Sequence, residues 1–470
     1  MNSRNSIPLL LYSAIAVSVP VVHARVASAQ AAVPIRELAT VDAKTPQHFG
    51  SIFNVRQLNG GKVLVNDGLH RQLVVLDQDL ANPKVLIDSV SVGGQSYGPR
   101  AAPLIPYLKD STLFVDGPSS TLLVIDPNGK IAHVMSAPKP QDVGALAGAS
   151  SGIDAKGNLI YRAPTRITRN ASGAPPTPGK PMDVIQAPDS AAIVRANFDT
   201  REVDTLARVK VASASRLSMT QDANGKPSMK TTINPLVTVD EWAVLSDGTI
   251  AFVRGHDYHV DLLHPDGKIT STEKLPFDWK RLTDGEKQGL IDSARTAEDK
   301  RLADAKVAAA NPNNKATADG GAAGGMEIRM VTMASGSAAG GGASFGGGGG
   351  MPMPAGAQSF SMTPTIEFVT LKEIADYYPA IRQGAAKADL DGNLWILPTT
   401  SAQSKAGELV YDVVNNRGVL FQRVRLPAGR SIAGFGHSGV VYLMYRDGSA
   451  GWLLERTKIL SNTSATDDQN

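Results

Sequence analysis

Lys62-Val63-Leu64-Val65-Asn66-Asp67, a polar gap, and then Gln72-Leu73-Val74-Val75-Leu76-Asp77 decide the fold of this chain. The same phrase returns as Thr112-Leu113-Phe114-Val115-Asp116 followed by Thr121-Leu122-Leu123-Val124-Ile125-Asp126. In both, an apolar run rich in β-branched residues ends in Asp, a short loop follows, and a second run ends in Asp ten residues later. Runs of this length, bounded by Gly, Asn and Asp, read as antiparallel strands. Self-similarity at a fixed interval reads as a repeat architecture.

Four further copies keep this grammar. Asp154-Ala155-Lys156-Gly157-Asn158 feeds the run Leu159 to Arg162, whose partner is Ala192 to Asp199. Leu245-Ser246-Asp247-Gly248 feeds Thr249 to Arg254, then Tyr258 to His264 and the turn Pro265-Asp266-Gly267-Lys268. Leu390-Asp391-Gly392-Asn393 feeds Leu394 to Leu397, then Leu409 to Asp412 and the turn Asn416-Arg417-Gly418. The last copy runs from Gly434 to Leu443 and from Gly451 to Arg456. The glycines suit hairpin turns, where the backbone needs a positive φ.

Six copies of a four-stranded meander predict an all-β, six-bladed β-propeller over residues 33–460 as a single domain. An open array would leave unpaired strand edges, and a two-sheet sandwich needs fewer strands. The last copy is one strand short after Ile459, while Val33 to Leu38 has no partner in its own neighbourhood. The expectation is that this N-terminal strand completes the last blade and closes the ring. The grammar of strand, Asp-Gly turn, strand and Asp resembles the six-bladed NHL-like and TolB-like propellers of secreted bacterial proteins. Val244-Leu245-Ser246-Asp247-Gly248 and Asp389-Leu390-Asp391-Gly392-Asn393-Leu394-Trp395 carry that likeness most closely. It implies a fold but no single activity, because such propellers include binding scaffolds, lactonases and lyases.

Between the fourth and fifth copies the repeat is interrupted by an insertion, residues 275–376. Thr283-Asp284-Gly285-Glu286 has capping-box spacing, and the Ala, Lys, Glu and Arg that follow predict a helix over 283–310. Residues 311–358, rich in Gly, Ala and Met, read as a flexible loop that cannot bury enough apolar area to offset its ordering entropy. A phosphate-cradling loop is the alternative, but no strand precedes these glycines and no Gly-Lys-Ser/Thr follows. Leu371 to Tyr377 suits a short helix returning the chain to the ring, and 461–470 reads as a disordered tail.

Residues 1–29 read as a signal peptide: Arg4, an apolar run from Ile7 to Val22, and the cleavage-like Ala27-Ser28-Ala29. An uncleaved anchor is the competing reading. No later stretch approaches the length of a membrane span, so the expectation is a secreted or periplasmic protein, monomeric, with no membrane span after cleavage. The formal charge of +3 includes Arg4 and Arg25. Without them the chain is near neutral, which argues against nucleic acid as a partner. With no cysteine, neither disulfides nor thiolate metal sites are available.

The residue ending the second strand recurs at one place in each blade, and in the first four copies it is Asp67, Asp116, Arg162 and Arg254. Two carboxylates and two guanidinium groups around a channel mouth would make a polar funnel for a dipolar or anionic ligand. Alternatively these residues hydrogen-bond their own turns or pair across blades. His256, His259 and His264 cluster on one hairpin without metal-ligand spacing, while His48, His70 and His437 come from different copies. No Gly-x-Ser-x-Gly elbow is present, and no residue stands out as catalytic. Two functions follow. One is a non-enzymatic binding or assembly module for a small ligand or protein partner, with no resident cofactor. The other is a lactonase-like hydrolase or lyase with calcium or zinc in the channel.

Overall fold

The Asp or Asn that closes a strand run opens a tight turn. The Oδ1 of Asp126 accepts the amides of Asn128 and Lys130, and that of Asp154 those of Lys156 and Asn158, all at 2.9 Å. Asp389 does the same for Asp391 and Asn393, and Asn415 for Arg417 and Val419. The fourth residue of these turns must take a left-handed backbone, and it is Gly129, Gly157, Gly392 and Gly418. In the Asp77 turn the place falls to Leu80 instead, at φ 58°. Accepting the Ala81 amide and the Asn82 side chain holds the Asp77 carboxyl below its ordinary range.

The computed structural model describes residues 33–460, except 91–95, 99–100, 118, 147–149, 165–181, 186–187, 213–214, 222–226, 311–327, 333–342, 346–357, 363–364 and 403–406. The expected signal peptide and C-terminal tail lie outside these residues.

Six antiparallel meanders form the ring. Blade one is Ile52–Gln57, Val63–Asp67, Gln72–Leu76 and Lys84–Ile87, and blade two is Ile105–Pro106, Thr112–Asp116, Thr121–Ile125 and Ile131–Ser136. Blade three is Ser151–Ile153, Leu159–Arg162, Ser190–Ala196 and Val203–Lys210. Blade four is Glu241–Val244, Ile250–Arg254, His259–Leu263 and Ile269–Ser271. Blade five is Ala386–Ala388, Leu394–Ile396, Leu409–Val414 and Leu420–Leu426. Blade six is Ser431–Phe435, Val440–Asp447 and Gly451–Lys458, completed from the N-terminus.

The middle strands are largely apolar, with polar residues mostly toward their ends, because both faces of each blade are covered by its neighbours. Leu64 and Leu73 of blade one pack with Phe114 and Leu123 of blade two. Trp395 and Tyr411 of blade five pack with Phe435 and Val441 of blade six. Polar ties cross the same seams: Arg56 of blade one binds Thr112 at 2.6 Å and Asp110 at 2.8 Å. Tyr258 of blade four donates to Asp412 of blade five at 2.6 Å.

An N-terminal strand closes the ring, but it is not Val33 to Leu38. Ala43–Lys44 supplies the fourth strand of blade six, pairing with Arg456 and Glu455. Buried Thr45 reinforces it: its hydroxyl accepts the Leu454 amide at 3.1 Å, and its own amide donates to the Leu454 carbonyl at 2.9 Å. Ile35–Arg36 runs parallel to Leu420–Leu426 as a fifth, outer strand of blade five, and Leu38 bridges Ile459. Pro34 has no amide to give, which suits a sheet edge. The segment around Ala43–Lys44 also buries Thr45 and Phe49 in the seam, with Phe49 bonded through its backbone to Trp452.

The insertion lies between blades four and five. Its helix, Asp284–Ala310, starts at the expected capping box, with Thr283 and Glu286 exchanging hydrogen bonds. Leu371–Glu373 is a 3₁₀ turn with its own capping box from Thr370. Inside the stretch read as a flexible loop, Ile328–Thr332 pairs with Ala343–Phe345 and Gln358–Met362. The rest of that stretch lies outside the described residues.

A second sheet was not expected from the repeats. It orders Met182–Ile185, Ser215–Gln221, Pro227–Ile233 and Thr365–Phe368. These strands come from three excursions: one within blade three, one between blades three and four, and the insertion. All three leave the ring at the end where second strands finish and innermost strands begin.

At the closing seam, a Cβ on Gly434 would lie 2.3 Å from the Val55 carbonyl oxygen. Gly434→Ala is therefore expected to lose about 1–3 kcal/mol through overpacking. Urea titration should show a lower midpoint with an unchanged slope.

Candidate functional site

The innermost strands of the blades enclose a central cavity of about 420 Å³. Its wall combines apolar residues, among them Phe53, Leu104, Val244 and Phe435, with polar ones. Among the polar side chains on it are Asn54, Arg56, Ser151 and Lys387. Arg56 is engaged by Asp110 and Thr112. The Ser151 hydroxyl is buried without a protein partner.

Lys387 stands in the middle of Ala386–Ala388, the innermost strand of blade five, with Ala386, Ala388 and Leu390 beside it on the wall. It makes no hydrogen bond or ion pair among the described residues. Burial pushes its ammonium pKa down, and the field of Glu241 offsets part of that. Glu241 opens the innermost strand of blade four and is 7% exposed. Burial raises its carboxyl pKa to about 7, against the Gly384 amide hydrogen bond and the charges of Arg162 and Lys387. Lys387 lines the cavity, whereas Glu241 is buried behind the wall formed by Ala243 and Val244 of its own strand.

The four strand-end residues occupy the expected equivalent positions but have different surroundings. Asp67 is 1% exposed, and its carboxylate accepts the amides of Gly50 and Ser51 at 2.9 and 3.0 Å and meets His70 Nδ1 at 2.8 Å. Arg254 is held by Asp240 at 3.0 Å and Asp261 at 2.8 Å, and donates to the Arg208 carbonyl. Asp116 is fully buried, with neither carboxylate oxygen hydrogen-bonded. Arg162 is half-buried, without an ion pair or hydrogen bond among the described residues, and its field reaches Glu241. Of the four, only Arg162 is electrostatically joined to Glu241. Glu241 and Lys387 were not among the residues singled out from sequence.

The histidines do not converge. His48 pairs with Asp447 at 3.0 Å and His70 with Asp67, both beside second-strand ends. His437 sits in the first turn of blade six, at the opposite end of the strands, because successive hairpin turns alternate ends. His259 lies between Asp257 and Asp261 at 2.6 and 3.2 Å, and His264 meets the Thr270 hydroxyl at 2.9 Å. Among the described residues no group of three or more His, Asp or Glu is arranged to hold a metal ion.

No family model matches the chain, and no curated protein matches it. Among solved structures it is similar to a catalytically inactive virginiamycin B lyase from Staphylococcus aureus with quinupristin. That match has 10% identity over 88% of this chain and 97% of that one, with a TM-score of 0.34. A member of the DUF4221 family from Bacteroides vulgatus matches at 9% identity over 91% and 98%, with a TM-score of 0.36. The calcium-binding protein regucalcin from Agrobacterium tumefaciens matches at 13% identity over 53% and 82%, with a TM-score of 0.22. At such identities none of their chemistry carries over to this chain.

Two measurements test this site. Arg254→Ala strips two carboxylates of their partner and is expected to cost about 1–3 kcal/mol, whereas Arg162→Ala should leave the melting temperature nearly unchanged. Glu241 gives a pH signature. Its folded pKa lies above the ordinary value of 4.5, so its contribution to stability is complete below pH 4.5 and is lost as pH rises through about 7. The loss is on the order of 3 kcal/mol, at ~1.4 kcal/mol per unit. Glu241→Gln should therefore flatten the fall in melting temperature between pH 5 and pH 8.

Proposed function

We propose that this protein is a binding propeller whose central channel takes a small organic anion. One observation carries the reading: Lys387 lines the cavity without a hydrogen bond or ion pair among the described residues, and Arg162, which does not line it, is likewise without an ion pair there. Lys387 is half-buried on the cavity wall with no counter-ion among the described residues, and a carboxylate ligand would supply one. The cavity volume falls in the range of small-molecule sites, about 300–1,000 Å³. Walls divided nearly evenly between polar and apolar surface fit a ligand with a short carbon skeleton and a charged end. The turn-lined end of the ring is occupied by its own backbone hydrogen bonds. The other end, where Arg162 lies, is the proposed way in. Together with the leader-like N-terminus and a near-neutral charge, this suits a protein that meets its ligand outside the cytoplasm.

Isothermal calorimetry with acetate, lactate, benzoate and citrate, against ethylamine and choline, tests the reading. Anions should bind and cations should not. Lys387→Met should weaken anion binding at least tenfold and Arg162→Ala severalfold. Equal binding of cations, or no binding by any anion, would sink it.

A further inference from the structure

We propose that the seam between blades one and two holds a monovalent alkali cation on Asp116, at a site separate from the central channel.

Strand register places Asp116 in that seam. Thr112, Phe114 and Asp116 alternate onto one face of their strand. Phe114 packs there with Leu64 and Leu73 of blade one and with the Tyr97 ring, 5.3 Å between centroids. Thr121 stands opposite Asp116 across the hairpin, and its alternates Leu123 and Ile125 belong to the same core. The Asp116 carboxylate and the Thr121 hydroxyl are therefore cross-strand neighbours facing blade one. On the blade-one side, Asn66 lies two residues past Leu64, as Asp116 lies two past Phe114. The Asn66 amide donates across the seam to the Ala102 carbonyl at 2.6 Å, and its carbonyl oxygen accepts the Tyr97 hydroxyl.

The charge in this layer is unanswered. Asn66, Tyr97 and Asp116 are fully buried, and neither the two Asp116 carboxylate oxygens nor the Thr121 hydroxyl has a hydrogen-bond partner among the described residues. Asp67, its counterpart in blade one, accepts the amides of Gly50 and Ser51 just ahead of the innermost strand. Blade two differs at that place: its innermost strand pairs only over Ile105–Pro106, and Pro103, just before it, has no amide to give. Two cations of the neighbourhood are committed elsewhere, Arg56 to Asp110 and Thr112, and Arg71 to the Tyr97 and Gly98 carbonyls. Buried charges are paired or bind metal. One carboxylate is balanced by one monovalent cation, whereas calcium affinity rises with the number of charged ligands. The Thr121 hydroxyl and the Ala102 and Asn66 carbonyls are neutral oxygens of the kind that hard cations take.

Thermal unfolding of the full protein tests the site, with sodium or potassium chloride replacing choline chloride at fixed total chloride. The melting temperature should rise by about 3 °C when the preferred ion reaches about a hundred times its dissociation constant. The two salts separate sodium from potassium. Asp116→Asn should lose the response while circular dichroism shows a folded ring, and Thr121→Val should raise the ion concentration needed severalfold. Lys387→Met, in the channel, should keep it in full. Should Asp116→Asn fail to fold, the Thr121→Val comparison decides. An equal rise in choline, a response to calcium alone, or no response to any salt would overturn the proposal. So would an alkali response that survives Asp116→Asn or is unchanged in Thr121→Val.

Discussion

Ring closure is the constraint on which the rest of the structure depends. A blade covers its faces only if it has a neighbour on each side, so the first and last blades must meet. The meeting is made along the last strand, Gly451–Lys458, by Ala43–Lys44, by Thr45 bonded to Leu454, and by the Phe49 bridge to Trp452, with Leu38 bridging Ile459 just beyond it. These contacts join residues about as far apart in sequence as the described chain allows. Loop-closure entropy makes such pairing late and slow. The Gly434 seam then fixes how closely blades six and one approach, and with it the width of the cavity between the innermost strands.

Closure also sorts the two ends of the ring. Turns between first and second strands, and between third and fourth, share one end, and those at Asp77, Asp126, Asp154, Asp389 and Asn415 reuse one design, an Asx oxygen accepting two amides around a left-handed residue. That end is self-satisfied. The opposite end carries the charged strand ends, and its groups have diverged. Asp67 and Arg254 stitch backbone and neighbouring carboxylates together, whereas Arg162 has no ion pair among the described residues. Chemistry is concentrated where the repeat is least regular, as expected when a rigid scaffold carries variable loops.

This division explains what the sequence could and could not reveal. The blades were legible because a strand covered on both faces must be apolar throughout, and because Asp and Gly at fixed offsets mark its turns. Val33 to Leu38 was placed as the closing strand because it had no partner nearby and the last copy lacked a strand, but the fourth strand of blade six is Ala43–Lys44, seated by Thr45 and by the packing of Ala43 and Phe49 against Leu454 and Trp452. The second sheet escaped because Ser215–Gln221 and Pro227–Ile233 carry mostly polar residues and match no blade. Arg162 was found by its equivalence across copies. Glu241 and Lys387 were not, since they lie in different blades with the whole insertion between them. The signal was local and faint: a lone charge within an innermost strand, in Asp240-Glu241-Trp242 and Ala386-Lys387-Ala388.

The second sheet binds three excursions into one another. Pro227–Ile233 has Ser215–Gln221 on one side and Thr365–Phe368, from the far end of the insertion, on the other. An insertion that looks dispensable as low-complexity sequence is therefore a pairing partner. Trimming 275–376 would bare the backbone of Pro227–Ile233 along one side, and an unpaired edge of that kind recruits strands from other chains. The three excursions are thus one inherited unit: a lineage could lose or lengthen one of them only with a matching change in its partners.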